Sequence, residues 1–276
     1  MAISGITELA NHIPEMWAPK MYAELRNGLI LANKFDTGYP GDLKFGDTVN
    51  VQTLAAPTGE VLTDDEATFA VDTMSVLNKA IIVNKRASAA FDISDLAQLQ
   101  SLSFEQEVQA ALVFAVRKQL EGGLIAALVP SAAAPDHLIG PAAVSALAAV
   151  DLATMRTLLS VQKVPVEGRV LILDPNYYGD LMVSTQIMSR DFTAGNSAQS
   201  GVVDSFVGFQ VMEHNLLGTD VGFAFHPSCL QLVMQQDIRI KISDLHSTGK
   251  YAYRVSADMV YGYTLFDANR MVKIVG

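Results

Sequence analysis

Cysteine occurs once in 276 residues, at Cys229. A lone thiol excludes an intrachain disulfide framework and suits a reducing compartment. Long apolar runs are missing too: stretches such as Ala110 to Val116 fall far short of the roughly 20 residues that span a bilayer. The N-terminus has no basic start followed by an apolar stretch, and its first positive residue is Lys20, so no secretory signal is expected. Positive charge is scarce, with 19 lysines and arginines against 29 aspartates and glutamates and a formal net charge of −10. That balance disfavours a nucleic-acid-coating surface and suits a surface that passes beside nucleic acid without adhering to it. Disorder is disfavoured as well, because 50% of the residues are apolar and only 17% are charged. Such a chain fills one large domain or two smaller ones.

Chemical motifs are equally sparse. There is no G-x-x-x-x-G-K-[ST] phosphate loop, no G-x-G-x-x-G turn and no G-x-S-x-G nucleophile elbow. The five histidines are scattered, with no H-x-H or H-x-x-x-H pair to seat a metal, so neither metal nor cofactor is expected. His226 and Cys229 are the nearest approach to a nucleophile dyad, since a thiolate needs a neighbouring base. On a strand, positions three apart point to opposite faces, and Pro227 breaks the regularity, so a buried core thiol is the plainer reading. Asp64, Asp65 and Glu66 lack the alternating oxygens and the glycine of a calcium loop and read as a solvated tip. Lys85-Arg86 is a single basic pair, not a patch. Trp17 reads either as an anchor in a partner's pocket or as a core residue of a helix.

What is present is a succession of strands and helices. Residues 1 to 12 read as an arm. Trp17, Met21, Leu25, Gly28 and Leu29 recur at helical spacing, and the early prolines place the start of a regular helix near Ala18. "DTGYPGD" breaks it at 36 to 42. Further on, Ser103 and Gln106 make a capping box. From there Phe104, Val108, Leu112, Ala115, Leu120, Leu124 and Leu128 trace one face of a long helix as far as Pro130, despite Gly122 and Gly123. About 26 residues at 1.5 Å each predict a rod of about 39 Å. The Ala- and Pro-rich stretch from 131 to about 150 is a candidate domain crossing. Asp151 is expected to cap a helix through Lys163 that buries Leu152, Met155 and Leu159. "RVLILDPNYYGDLM" predicts a fully apolar strand, then Asp174 as N-cap and Pro175 at the first helical position. "SRDFTAGNSAQSG" (189 to 201) is a small-residue loop. The remainder is strand-rich, with "DLHSTGK" (244 to 250) turning between two long strands.

The stretch "GDTVNVQTLAAPTGEVLTDDEATFAVDT", residues 46 to 73, predicts two extended arms around an acidic, turn-rich tip. Val49, Val51 and Thr53 share one face of the first arm; Ala67, Phe69, Val71 and Thr73 share one face of the second. Arms of about eight residues reach about 26 Å. A two-stranded hairpin with so thin an apolar face is marginal in water, so it is expected to lie against another surface. The strand continues beyond it through "VLNKAIIVNKRASAAFDIS".

In this order, the segments "IPEMWAPKMYAELRNGLILANKF", "GDLKFGDTVNV", "FDISDLAQLQ", "RVLILDPNYYGDLM" and "ADMVYGYTLFDANRMVKIVG" resemble the major capsid proteins of tailed bacteriophages with the Hong Kong 97-type fold, especially the small coat proteins of short-tailed phages. The resemblance covers nearly the whole chain. It implies an α+β fold with an N-arm (1–38), an extended hairpin loop (39–79), a peripheral domain with a long spine helix (80–129 and 235–265) and an axial α/β domain (130–234 and 266–276). It also implies a virion protein, made in the host cytoplasm, that assembles with itself into pentamers and hexamers of an icosahedral shell around double-stranded DNA. No enzymatic role, sequence-specific DNA binding or membrane association is implied. The expected interface residues are Trp17, Val49, Val51, Asp64, Asp65, Glu66, Phe69 and Val71. The other partners implied are a portal protein, a decoration or cement protein, and a scaffolding protein. The scaffold is expected to be separate, because the N-arm pattern begins within about a dozen residues of Met1. Some members weld their shells by Lys–Asn isopeptide bonds from the extended loop. Between Gly41 and Asn78 the sole lysine is Lys44, near the loop's base, so such cross-links are not expected. An encapsulin-type nanocompartment shell and a soluble α/β enzyme without recognisable motif are the alternative readings.

Overall fold

The computed structural model describes residues 30–35, 46–54, 57–63, 68, 71–74, 76–96, 105–140, 146–184 and 205–276. Within these the chain forms a six-stranded sheet, a three-stranded sheet and a two-stranded hairpin. The strands are β1 (Thr48–Leu54), β2 (Val76–Ile82), β3 (Lys85–Ser94), β4 (Leu138–Ile139), β5 (Val170–Leu173), β6 (Ser205–Phe206), β7 (Phe209–Glu213), β8 (Val221–Phe225), β9 (Leu230–Asp244), β10 (Ala252–Leu265) and β11 (Met271–Val275). The α-helices are α1 (Glu105–Ala127), α2 (Ala149–Val161) and α3 (Pro175–Val183). The expected helix near Ala18, the capping Ser103 and the loop at 189 to 201 lie outside the described residues.

The six-stranded sheet runs β4-β11-β8-β5-β7-β6, mixing parallel and antiparallel pairs. Its central strand β5 is the predicted apolar run, and all four of its residues are buried. Burial on both faces explains why the run shows no alternation. Leu171 and Leu173 face α2 and α3, which contribute Leu152, Met155, Leu159, Tyr177 and Leu181 to one core. Val170 and Ile172 belong to a second core with Phe223, Phe225, Leu31, Phe35 and the long helix. Phe35 stacks on Phe225 with ring centroids 5.0 Å apart. At the start of α3 the Asp174 carboxylate accepts the amides of Tyr177 (3.1 Å) and Asn176 (3.4 Å), with Pro175 following as predicted. The start of α2 needs correction: Ala148, not Asp151, is the N-cap residue. Asp151 sits one turn inside, and its carboxylate accepts the Ala148 amide at 2.9 Å. An acidic side chain satisfies a free amide from either position, so spacing alone could not separate the two.

Helix α1 spans 23 residues, or about 35 Å. Leu112, Val116, Leu120 and Leu124 are buried along it, with Leu128 just beyond its end. This stripe packs on β10, where Val255, Ala257, Met259 and Tyr261 alternate inward. The inward face is not uniform: Gly123 lies under Tyr263, whose Oη would come within 3.3 Å of an added Cβ, and Tyr263 stacks on Tyr261. The glycine that weakens the helix thus makes room for a tyrosine pair.

β10 is the middle strand of the three-stranded sheet, antiparallel to both β3 and β9. Its other face is polar. Arg254 grips Asp92 on β3 through two bonds of 2.6 and 2.9 Å, and Arg239 on β9 grips Asp258 at 2.6 and 2.8 Å. The strand before the "DLHSTGK" turn, β9, is 15 residues long. Register shifts opposite Asp258, Val260 and Tyr261 mark a bulge, and a bulge breaks the period-2 signal in sequence. The expected division between residues 234 and 235 falls inside this strand.

The hairpin also differs from its expected form. β1 pairs with β2, Thr48 opposite Ile82 and Leu54 opposite Val76. The returning arm is therefore Val76–Ile82, and residues 71 to 74, expected within it, have no regular structure. The apparent alternation of 67 to 73 was too short and too poor in large apolar groups to outcompete "VLNKAII", which β2 uses. The single strand expected across 76 to 94 is split at Val83-Asn84, where the Val83 amide turns to the Asp47 carbonyl at 2.7 Å.

Candidate assembly surfaces

The root of the hairpin is held by its own chain. Ile81, Val83 and Val233 are buried together, with Val49, Val51, Val260 and Phe266 packed around them. The approach is close: a Cβ on Gly262 of β10 would lie 2.3 Å from the Ile82 carbonyl oxygen and 2.7 Å from the Val83 Cα. Only glycine lets the two backbones meet there. Thr264 donates its hydroxyl to the Ala80 carbonyl (3.3 Å), and Gln235 donates its amide to the Gly46 carbonyl (3.0 Å). The Lys79 ammonium bonds to the Phe266 carbonyl and sits 5.4 Å from the centre of the Phe266 ring.

Beyond the root this support ends. Leu54 and Val76, the last pair of the ladder, are exposed. Val61 is 92% exposed, and Val71 and Met74 are each 80% exposed. Among the described residues here, the Thr58 amide donates to the Asp72 carboxylate across the ribbon at 2.6 Å. Of the expected interface residues, Val49 and Val51 are half-buried against their own chain, and Val71 is free toward solvent. Trp17, Asp64, Asp65, Glu66 and Phe69 lie outside the described residues. Sequence reading passed over Val61, Leu62 and Met74. Their signal was there: apolar residues in a turn-rich segment with no period to bury them.

A second exposed strip runs along α2. Val150, Thr154, Thr157 and Val161 follow one another at spacings of four, three and four, all exposed. Both threonine hydroxyls turn back to carbonyls four residues earlier, each at 2.9 Å.

Polar groups inside the chain tie its parts together. Glu121 of α1 and His214, just after β7, are both buried and meet at 2.6 Å. The other Glu121 oxygen accepts the Leu31 amide at 2.9 Å, and the His214 Nδ1 accepts the Leu216 amide at 3.3 Å. One carboxylate thus joins the N-terminal segment, the long helix and the six-stranded sheet. Buried Arg169 has acceptors in the carbonyls of Pro165, Val164 and Arg156 and in the Ser160 hydroxyl. The Glu121 contacts were not anticipated, because partners about 90 residues away leave no local pattern, and Arg169 binds mostly backbone carbonyls, which no side-chain pattern marks.

The His226–Cys229 dyad does not assemble as a nucleophile. The His226 Nδ1 is engaged by the Ser228 hydroxyl at 2.7 Å, and Cys229 is completely buried. Burial pushes the thiol up to about 12, so it is protonated at neutral pH. Among the described residues no group of histidine, cysteine, aspartate or glutamate could hold a metal ion, and no helix is long and apolar enough to cross a membrane.

No curated protein matches this chain. A family model described as "Phage capsid protein" matches residues 51–275. Among solved structures, a chain of Mycobacterium phage Che8 aligns with a TM-score of 0.79 at 21% identity, covering 95% of this chain and 96% of that one. The capsid structure of the cyanophage P-SCSP1u aligns at 0.78 and 14% identity, covering 99% and 95%. The acid-stable capsid structure of Helicobacter pylori bacteriophage KHP30 aligns at 0.77 and 10% identity, covering 100% and 98%. The nanocompartment and enzyme readings give way to the family match, which spans both sheets and the long helix. The chain belongs to the phage capsid protein family, structural and non-enzymatic, as a major capsid protein that joins copies of itself in the icosahedral shell of the virion.

Proposed function

We propose that the hairpin beyond Leu54 and Val76 is the part of this capsid protein that reaches a neighbouring copy in the shell. The observation that carries the reading is the contrast along one ribbon: a root fixed on its own chain and, farther out, Val61, Val71 and Met74 left exposed. A closed ring supplies such a surface to every copy through a heterologous contact. In this reading the Hong Kong 97-type division is N-arm 1–38, extended loop 39–79, peripheral domain 80–129 and 235–265, and axial domain 130–234 and 266–276, with β9 running across the boundary at 234 and 235. Pentamers and hexamers are the rings in this reading. The net charge of −10 keeps packaged DNA from sticking to the wall.

Covalent cross-linking from the loop is not part of the proposal. Lys79, the first lysine on the returning arm, is engaged by Phe266, and Lys44 lies outside the described residues. Scaffolding, portal and decoration proteins are partners on the strength of the resemblance.

Replacing residues 57 to 74 by a short turn tests the reading. The root survives, so the subunit should remain soluble with an unchanged melting curve and form no shells by electron microscopy. Normal particles from this variant would end the proposal.

A further inference from the structure

The chain passes between its two large sheets at two adjacent turns, 226–229 between β8 and β9 and 266–270 between β10 and β11. Backbone bonds stitch the turns together: the Phe266 and Asp267 amides donate to the Cys229 carbonyl at 2.8 and 3.2 Å, and the His226 amide donates to the Arg270 carbonyl at 3.0 Å. Side chains continue the stitching. Arg270 Nη1 donates to the Ser228 hydroxyl oxygen at 2.8 Å, and that hydroxyl meets His226 Nδ1 at 2.7 Å. The Ser228 amide donates to the same nitrogen at 3.3 Å. The amide can only donate, so Nδ1 is the acceptor and the hydroxyl can donate to it as well, which leaves the imidazole neutral with its proton on Nε2.

We infer that His226 is an acid-sensitive latch at this junction, holding the two turns together while neutral and loosening them when protonated. A proton on Nδ1 removes the acceptor for the Ser228 amide and reverses the hydroxyl bond, so that the Ser228 oxygen must accept from both the imidazolium and Arg270. It also adds a positive charge beside Arg270 and Arg169, and the carboxylate of the adjoining turn, Asp267, is already engaged by the Arg270 guanidinium at 3.1 Å and by the Asn269 amide at 2.9 Å. On the side of the β5 approach, the Glu167 backbone bonds the ring and weakly favours the charged form. Burial first, then Arg270 and Arg169, holds His226 below its ordinary 6.5. The fold therefore favours the neutral ring. That stabilisation is complete above 6.5 and is lost as pH falls through the depressed value.

Cys229, buried in the same junction and the sole thiol, reports its opening. The test uses the full-length unassembled chain. The reaction of Cys229 with dithiodipyridine is compared between wild type and His226→Asn, whose amide oxygen keeps an acceptor near the Nδ1 position and does not titrate. The rate ratio at equal pH cancels the reagent's own pH dependence. It should be near unity at about pH 8 and several-fold above unity at about pH 5. A ratio that does not change with pH overturns the latch. Histidine-labelled NMR on wild type gives a readout that needs no Asn variant to fold: His226 should show the Nε2-protonated tautomer and a midpoint below 6.5. In Arg270→Gln that midpoint should rise. A wild-type midpoint at or above the ordinary value, or one that Arg270→Gln leaves unmoved, would likewise sink the inference.

Discussion

Val49 and Val51, at the root of the hairpin, lie against Ile81, Val83 and Val233 of their own chain, whereas Val61, Val71 and Met74 farther along the same ribbon face solvent. The residue types hardly differ; the surface offered to them does. Fully burying a side chain of this size is worth about 1.5–3 kcal/mol. The root contributes that to the subunit. The tip holds it in reserve, and a ring of copies is where it can be released. Apolar residues that a folded chain leaves uncovered, on a ribbon whose root is fixed, are the reason the proposal places the neighbouring copy there.

The comparison can be broken hardest at the core beneath the root. Leu112→Asp puts a charge on a fully buried stripe of α1, opposite β10. An unpaired buried charge costs several kcal/mol or more, so the variant should lose its cooperative melt or fail to accumulate as soluble protein. A normal melting curve would mean that the stripe is not buried in solution. Gly262→Ala is a smaller blow to a more particular place. The added methyl would press on the Ile82 carbonyl and the Val83 Cα, both backbone atoms with little freedom to retreat. A loss of about 1–3 kcal/mol is expected, as for other overpacked sites. Hydrogen exchange should rise in β1 and β2 while β5 stays protected. Equal loss of protection in both would show that the root is no independent attachment.

Sequence legibility follows the same division. The unit around β5 and α3 was readable because each signal is local: a four-residue apolar run, an N-cap aspartate, a proline in the first turn and a tyrosine one turn on. The stripe of α1 was readable from its i, i+4 repeat, although Ala115 stood in the expectation where Val116 carries the burial. The partner of β1 was misread, because pairing is settled by cross-strand contacts and by the fixed root, and neither leaves a mark within the segment. The full extent of β9 was hidden for a related reason, its bulge placing "QQD" where alternation should continue. The Glu121–His214 tie joins residues 93 positions apart and could not be seen at all. As for the proposed assembly surface, the sequence singled out the ribbon and, within it, named root residues together with residues farther out. Val49 and Val51 obey the period of a strand, and a period detects burial without saying which chain does the burying.

The smallest expected effect on the subunit is the most informative about the shell. Val61→Ser together with Val71→Ser removes two methyl-rich side chains that are 92% and 80% exposed. Surface changes of this kind stay within about ±0.5 kcal/mol, so the melting curve should not move. If neighbouring copies cover both valines, each contact loses most of its burial energy. Repeated around every ring, that loss should raise the protein concentration needed for assembly by at least about tenfold, the equivalent of about 1.4 kcal/mol per contact. Light scattering against concentration measures the threshold directly. An unchanged threshold with an unchanged melt would mean that the tip's apolar residues are as bare in the shell as in the free subunit. The contact between copies would then have to come from elsewhere, with the exposed strip of α2 the first place to look.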